Sequence, residues 1–200
     1  LRRRSDPRLS TRPSTVARAK QVERDHFYMG LARAVREGAD CLGSHVGAVL
    51  VLGNRVISTG FNGTPEGFPN CSDSGCVRCR DSALHREGKA DLAHDPEHIS
   101  VRGLDLCIFV HSEQIAIISF VFFFNDLECS EIYTTLSPCF GCLKEAVQAG
   151  IVRVVFDDEY HAPMSDVVRR QYDDLAAHLA RGDAPAFERI TPRDGESRPV

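Results

Sequence analysis

The sequence predicts a single α/β domain whose mixed sheet carries helices on both faces. Short apolar runs of strand length alternate with longer stretches of helical periodicity, and two such runs follow each other near the start, as in a hairpin. The chain has 200 residues, of which 42% are hydrophobic, enough to bury one sizeable core. Length and composition therefore favour one domain with terminal tails.

Spacing and residue type place the predicted elements. Phe27, Leu31 and Val35 recur every four residues, as on one face of a helix, and Gly53-Asn54 is a turn pair typical of hairpins. Later runs of β-branched and aromatic residues predict strands. A stretch rich in turn residues predicts a long loop, and a loop of this length in a compact domain is usually held by a cross-link such as a metal or has a function. The expected order is helix (27–38), strands (46–51, 56–60), loop (66–105), helix (111–124), strand (131–135), helix (139–149), strand (151–156) and helix (168–179).

Charge is distributed unevenly along the chain. The net charge of −4 gives no general attraction to nucleic acid, but the first residues are basic and rich in Ser and Pro. We expect a basic, disordered extension over 1–24, a domain over 25–182 and a C-terminal tail over 183–200. No secretory leader or long apolar span is evident, which predicts a cytoplasmic protein without a membrane partner. Eight cysteines in that compartment favour metal binding over disulfides.

Three residues have the chemistry of a zinc site. His111, Cys139 and Cys142 supply an imidazole and two thiols, and three protein ligands leave a fourth position where zinc lowers the pKa of a water toward neutrality. Glu113 follows His111 by two positions, so on a helix it points away from the ligand direction and can carry protons instead. The pattern predicts a hydrolytic site. Taken alone, the two cysteines also fit a redox pair or a structural zinc knuckle.

Pro138 predicts the start of a helix at the two cysteines. Proline suits the first turn, where its missing N–H costs nothing, and Cys139 and Cys142 then share one helix face. The helix N-terminus lowers the pKa of nearby thiols and favours metal binding.

With these residues the chain is similar to the cytidine deaminase superfamily, whose zinc enzymes share the pattern H-x-E…P-C-x-x-C, and it most resembles the deoxycytidylate (dCMP) deaminases. The resemblance runs from about Asp25 to Tyr172 and implies a cytidine deaminase-like three-layer α/β/α fold with a central mixed five-stranded sheet. Its further marks are Phe27-Tyr28-Met29, Val46-Gly47-Ala48-Val49, Thr59-Gly60-Phe61-Asn62-Gly63-Thr64-Pro65 and Ile132-Tyr133-Thr134-Thr135-Leu136-Ser137.

The resemblance also implies roles for individual residues. His111, Cys139 and Cys142 would bind the catalytic zinc, and Glu113 would shuttle protons. Related enzymes are usually homo-oligomers, often hexamers, and some respond to nucleoside triphosphates. Substrate contacts are implied for Asn62 (sugar), the backbone N–H of Ser112 (ring carbonyl), Ser137 and Tyr160.

Phe122 departs from the family pattern at the nucleotide end of the pocket. The family usually has arginine at this position, and an aromatic ring cannot form the charge-assisted pair that arginine makes with phosphate. One hypothesis is that Phe122 lines the pocket and that the preferred substrate lacks a 5′-phosphate. The other is that Phe122 packs in the core or in an oligomer contact and that another arginine binds the phosphate.

The remaining cysteines suggest a second metal site. Cys76 and Cys79 have zinc-knuckle spacing, and in some related deaminases cysteines resembling Cys41 and Cys71 hold an additional structural zinc. We expect these four to bind a second zinc that staples the long loop, with Cys107 as the alternate ligand. Histidines of the loop are further alternatives (His85, His94 and His98), and Cys129 is expected to pack in the core.

Three functions remain open from the sequence. The leading one is a zinc-dependent hydrolytic deaminase of a cytosine-type nucleotide, converting dCMP to dUMP and ammonia, or of a related nucleoside or aminated heterocycle. The second is an editing deaminase that contacts nucleic acid through the basic N-terminal arm, which the acidic net charge disfavours. The third is a non-catalytic zinc-stabilised binding protein, which the presence of Glu113 disfavours.

Overall fold

The computed structural model describes residues 15–89, 107–121, 127–160, 164–179, 186–191 and 193. Within these ranges no helix combines the length and the apolar character that crossing a lipid bilayer requires. The described elements are α1 (Thr15–Arg36), β1 (Gly47–Leu52), β2 (Arg55–Phe61), α2 (Val77–Arg86), α3 (Ser112–Val121), β3 (Glu131–Leu136), α4 (Phe140–Ala149), β4 (Arg153–Asp158), α5 (Asp166–Leu179) and β5 (Phe187–Arg189).

The five strands form one mixed sheet in the order β2-β1-β3-β4-β5. β1 pairs antiparallel with β2 and β3, whereas β3, β4 and β5 run parallel. Alternate residues of the central strands enter two separate cores: Val49 and Tyr133 pack against α1, while Leu50 and Ile132 pack against α3 and α4. The predicted three-layer fold with a mixed five-stranded sheet is confirmed.

α1 differs from its prediction in length and in its buried face. It begins at Thr15, inside the predicted extension, and Phe27 is 60% exposed. Tyr28, Met29 and Ala32 face the sheet instead. The reason is the close approach of the helix to β1 at Gly47, where a Cβ would lie 2.2 Å from the carbonyl oxygen of Ala32. This contact turns the side of the helix that carries Ala32 toward the strand. The basic residues of 1–14 lie outside the described residues.

β5 lies inside the predicted C-terminal tail and completes the sheet beside β4. Arg153 of β4 ties this edge together, because its guanidinium pairs with Glu188 of β5, with Glu131 at 2.8 Å and with Asp25 of α1 at 2.8 Å. The hydroxyl of Tyr133 donates to Asp25 and Glu131 at 2.8 Å each. This network joins α1 and β5 to the central strands.

Three further features differ in how well the sequence predicts them: the hairpin turn, the long loop and Cys129. The predicted hairpin turn is present, with Gly53 and Asn54 in the left-handed conformation that such turns require. The predicted long loop contains a helix, α2, which the sequence analysis missed because its residues are mostly polar and carry no apolar stripe. Cys129 is exposed and has a positive φ of 69°, so its predicted packing in the core is wrong: it stands in a turn.

Candidate active site

His111, Cys139 and Cys142 converge between α3 and α4. The Nδ1 atom of His111 lies 3.2 Å from the Sγ atom of Cys142 and 3.4 Å from that of Cys139. All three ligand atoms lie within 4.8 Å of one another. One imidazole and two thiols at such distances fit a zinc ion that keeps a fourth position open.

The start of α3 fixes His111. Val110 and Gly63 exchange backbone hydrogen bonds of 3.0 and 3.3 Å, which anchors the residue before His111 beside the end of β2. The side chain of Gln114 accepts a hydrogen bond of 3.0 Å from the backbone N–H of His111, as in a capping box. His111 therefore stands at the N-cap of α3 with its ring directed at the two cysteines.

The start of α4 fixes the cysteines. Cys139 is the N-cap residue, with an extended backbone (φ −66°, ψ 169°), and its Sγ atom accepts a hydrogen bond of 3.4 Å from the backbone N–H of Cys142. Pro138 thus precedes the cap rather than lying in the first turn, as the sequence analysis expected, since the helix begins only at Phe140. The carbonyl of Pro138 accepts a hydrogen bond of 2.9 Å from Tyr172 of α5, which holds this turn in place.

The surroundings set the ionisation of the site. The hydrogen bond from Cys142, with those from His111 and the helix backbone, lowers the pKa of Cys139 to about 4 despite its burial. Cys142 keeps the proton that the pair shares, because that hydrogen bond and burial raise its pKa. One thiolate is therefore already present where a cation would bind.

Glu113 lies buried next to these ligands, with 4% of its surface exposed. Burial raises the pKa of its carboxyl group, and the Ser112 hydroxyl donates a hydrogen bond of 3.0 Å to its Oε2 atom. A carboxylate with a raised pKa accepts a proton more readily than one in water, so Glu113 has the properties of a general base.

These residues open into a cavity of about 360 Å³, a volume within the range of small-molecule sites. Side chains with predicted roles in the zinc site or in substrate binding line this cavity: His111, Ser112, Glu113, Cys139, Asn62, Ser137 and Tyr160. The structure brings them together from four separate stretches of the chain. Phe122, the remaining predicted contact, lies outside the described residues.

Asn62 and Ser137 also hold the walls of the cavity. The side chain of Asn62 accepts a hydrogen bond of 2.7 Å from the Val46 N–H and donates one of 2.8 Å to the Ser44 carbonyl. An amide has two donors and two lone pairs, so Asn62 keeps one of each for a ligand. The hydroxyl of Ser137 accepts a hydrogen bond of 2.7 Å from the backbone N–H of Tyr160.

Three cavity residues were missed by the sequence analysis. Arg78, Ser82 and Arg86 line the cavity from α2. Their spacing of four residues is a helical signal, but it becomes visible only once residues 77–86 are known to form a helix.

The second cysteine cluster borders the same cavity. The Sγ atoms of Cys71, Cys76 and Cys79 lie within 4.8 Å of one another. Cys107 approaches Cys76 at 3.2 Å and Cys79 at 3.6 Å between sulfurs. Cys41 belongs to the same buried cluster, and its Sγ atom accepts a hydrogen bond of 3.2 Å from the Gly43 N–H. Of the loop histidines, His94 and His98 lie outside the described residues, as does the side chain of His85.

Comparison with known proteins gives consistent results. Residues 22–157 match the family model described as the cytidine and deoxycytidylate deaminase zinc-binding region. The deoxycytidylate deaminase of Schizosaccharomyces pombe is 32% identical over 145 residues, which are 68% of this chain but 38% of that protein. This chain thus spans less than half the length of the yeast relative. The deoxycytidylate deaminase of Mycobacterium phage D29 is 34% identical over 135 residues, which are 68% of this chain and 94% of the phage protein.

A solved structure supports the fold. The dCMP deaminase of cyanophage S-TIM5 in its apo form superposes with a TM-score of 0.55 at 23% identity, covering 84% of this chain and 98% of the phage chain. The family model matches residues 22–157, which are most of the chain, and the fold is that of a solved member. The chain is therefore a member of the cytidine and deoxycytidylate deaminase family.

Proposed function

We propose that this protein deaminates a cytosine-type nucleotide by hydrolysis, with dCMP as substrate and dUMP and ammonia as products. The observation that carries the proposal is the buried Glu113 beside the converging His111, Cys139 and Cys142, at the wall of a cavity. Relatives of known activity are deoxycytidylate deaminases, which supports the choice of substrate class.

His111, Cys139 and Cys142 would hold zinc, which when bound supplies a Lewis acid that lowers the pKa of water. Glu113 accepts a proton from the water that attacks the ring carbon bearing the amine, and passes it to the adjacent ring nitrogen. Glu113 then moves the hydroxyl proton of the adduct to the amine, so ammonia leaves and a carbonyl forms. The backbone N–H of Ser112 is the donor to the ring carbonyl, and Asn62 offers its remaining donor and acceptor to the sugar.

An ammonia-release assay tests this function. We expect turnover with dCMP, whether or not deoxycytidine also reacts, and none with adenine or guanine nucleotides. Incubation of the protein with single-stranded DNA that contains cytosines is the control, and it should release no ammonia. Activity confined to a purine, or to cytosines within DNA, would contradict the proposal.

We also propose a second, structural zinc site formed by Cys71, Cys76, Cys79 and Cys107. In a tetrahedral thiolate site the sulfurs are about 3.8 Å apart, given bonds of about 2.3 Å. The distances from Cys107 to Cys76 and to Cys79 are close to this value, so Cys107 is proposed as the fourth ligand. Cys41, which hydrogen-bonds to Cys79 in the same cluster, is the competing ligand. Such a site would hold α2 to the loop after β2.

Zinc analysis of two matched variants tests the ligand assignment. The parent should contain two zinc ions per chain. Cys107→Ser should lose one of them, whereas Cys41→Ser should keep both. The opposite result would restore Cys41 as the ligand, and a parent with one zinc ion would remove the second site.

We further propose that the protein is a homo-oligomer. Ile118 and Val121 on α3 are 51% and 60% exposed, next to the buried residues of the active-site helix. Apolar side chains concentrated on one exposed helix face are typical of subunit contacts. Light scattering after size exclusion gives the mass directly, and a monomer at micromolar concentration would contradict this proposal.

A further inference from the structure

One wall of the cavity carries positive charge that the proposed reaction does not use. Arg78, Ser82 and Arg86 are spaced by four residues and therefore share one face of α2, which borders the cavity. Every one of these side chains is a hydrogen-bond donor. Deamination itself needs neither arginine, since Glu113 moves the protons.

The two arginines differ in how they are held. Arg86 donates a hydrogen bond of 3.0 Å to the carbonyl of Leu42, which fixes its guanidinium at the loop between α1 and β1. The same loop is bound to Asn62 through the Ser44 carbonyl. Arg78 is half-buried and, within the described residues, has neither a hydrogen bond nor an ion pair. A half-buried guanidinium with unused donors is suited to an anion.

The charges of the cavity lining show what kind of ligand fits. Apart from the zinc-site histidine, the charged residues among the described lining are Arg78, Arg86 and Glu113. Glu113 lies at the reacting end with the zinc ligands, whereas the arginines lie on α2. A planar guanidinium binds a phosphate through two parallel hydrogen bonds, and two arginines match a dianion.

We propose that Arg78 and Arg86 bind the 5′-phosphate of the substrate, with Ser82 as an additional donor. This inference rests on the proposed deaminase function and adds to it the recognition of a nucleotide over a nucleoside. It also favours the second hypothesis for Phe122, in which another arginine binds the phosphate. Because α2 begins at the cysteine cluster, that cluster positions the phosphate-binding wall.

The test is the ratio of kcat/KM for dCMP to kcat/KM for deoxycytidine, two substrates that differ only in the phosphate. The parent should favour dCMP strongly. Arg78→Gln should lower the ratio about 10- to 100-fold, the value of a charge-assisted contact, and the double variant with Arg86→Gln should lower it further. Arg78→Lys keeps the charge but loses the paired geometry, so its ratio should lie between those of the parent and Arg78→Gln.

Lys89→Gln is the matched control. It removes one positive charge just beyond the same helix, at an exposed side chain that does not line the cavity, and should leave the ratio unchanged. A parent that prefers dCMP but keeps its ratio in the double variant would overturn the inference while leaving the deaminase function intact. A parent with equal kcat/KM for both substrates would overturn it too. A parent inactive on both would overturn the proposed function and this inference with it.

Discussion

The two cysteine sites share a local motif but differ in their surroundings. In each, a Cys-x-x-Cys pair opens a helix, and the first thiol accepts a hydrogen bond of 3.4 Å from the backbone N–H of the second cysteine. Cys139 and Cys142 meet one histidine, and Cys139 borders the cavity next to Glu113. Cys76 and Cys79 meet further thiols, and their cluster is almost entirely buried.

The first site contains one thiol whose pKa is lowered beside one whose pKa is raised. The pKa of Cys139 is lowered to about 4, whereas burial raises the pKa of Cys71. The hydrogen bond with Cys79, together with burial, raises the pKa of Cys107 as well. The spacing of two cysteines therefore does not determine their role. What distinguishes the two sites is the further partner: a histidine beside the buried Glu113 at one, and additional thiols at the other.

The largest expected effect separates chemistry from metal binding at the first site. Glu113→Gln removes the proton carrier and leaves the three ligands in place, so turnover should fall about a hundredfold or more while zinc is retained. Ammonia release and zinc analysis on the same sample measure both. The control is Glu128→Gln, at an exposed carboxylate, which should stay active. Near-parental activity of Glu113→Gln would end its assignment as general base.

A matched pair of substitutions contrasts the two sites directly. Cys76→Ser should lower the free energy of unfolding by about 4 kcal/mol, because loss of a structural metal belongs to the most destabilising changes. This corresponds to about 8–16 °C in melting temperature for a chain of this size. Cys142→Ser should abolish activity with a smaller change in stability. Equal stability losses in the two variants would mean that both sites are structural.

The charged network around Arg153 provides a stability change away from both cysteine sites. Arg153 outweighs the effect of burial and lowers the pKa of Asp25 below its ordinary 3.8. The stabilisation is therefore present above that pH and is lost as the pH falls through the folded-state pKa. Asp25→Asn should cost about 3 kcal/mol at neutral pH, with zinc content unchanged. The free energy of unfolding of this variant should also fall less steeply as the pH is lowered.

Acid titration followed by circular dichroism measures this effect. Glu23→Gln, at an exposed carboxylate of the same helix, is the control and should behave as the parent. Loss of zinc from Asp25→Asn would show that the Arg153 network is coupled to the metal sites, and would contradict a purely structural role for it.

The smallest expected effect tests how α3 is placed against the sheet. A Cβ at Gly60 would lie 2.2 Å from the carbonyl oxygen of Ser112 and 2.6 Å from the backbone N of Ala116. Gly60→Ala should therefore push α3 away, cost about 2 kcal/mol and reduce activity. Gly30→Ala in α1 meets nothing within 4 Å and should be neutral or slightly stabilising. Thermal melts and the ammonia assay compare the two.

The sequence predicted the parts of the molecule that depend on local patterns. The hairpin at Gly53-Asn54 and the alternation of strands and helices follow from spacing and residue type. The sequence pattern also singles out His111, Cys139 and Cys142, which the structure brings together. The family resemblance added the fifth strand, but its location, β5, was missed because three residues with no alternation give no strand signal. β5 exists because β4 offers an open edge and Arg153 binds Glu188.

α2 was missed for a related reason. Its helix lacks an apolar face, and what holds it is a set of thiols that come together only in the folded chain. The exposed position of Phe27 likewise depends on which side of α1 can approach Gly47. In each case a contact between distant residues outweighs the local pattern, which a single sequence does not reveal.

The cavity draws its walls from two kinds of architecture, and this makes its properties separable. The candidate reacting groups stand on or beside α3 and α4, which are packed against the sheet. The basic wall stands on α2, a short helix that begins at the cysteine cluster and contacts the loop between α1 and β1 through Arg86. A designer could exchange the residues of α2 that face the cavity, keep Cys79, and leave Glu113 and the candidate metal ligands untouched. Substrate preference could then change, in evolution or by design, through substitutions on α2 without changes to the residues that pack α3 and α4 against the sheet.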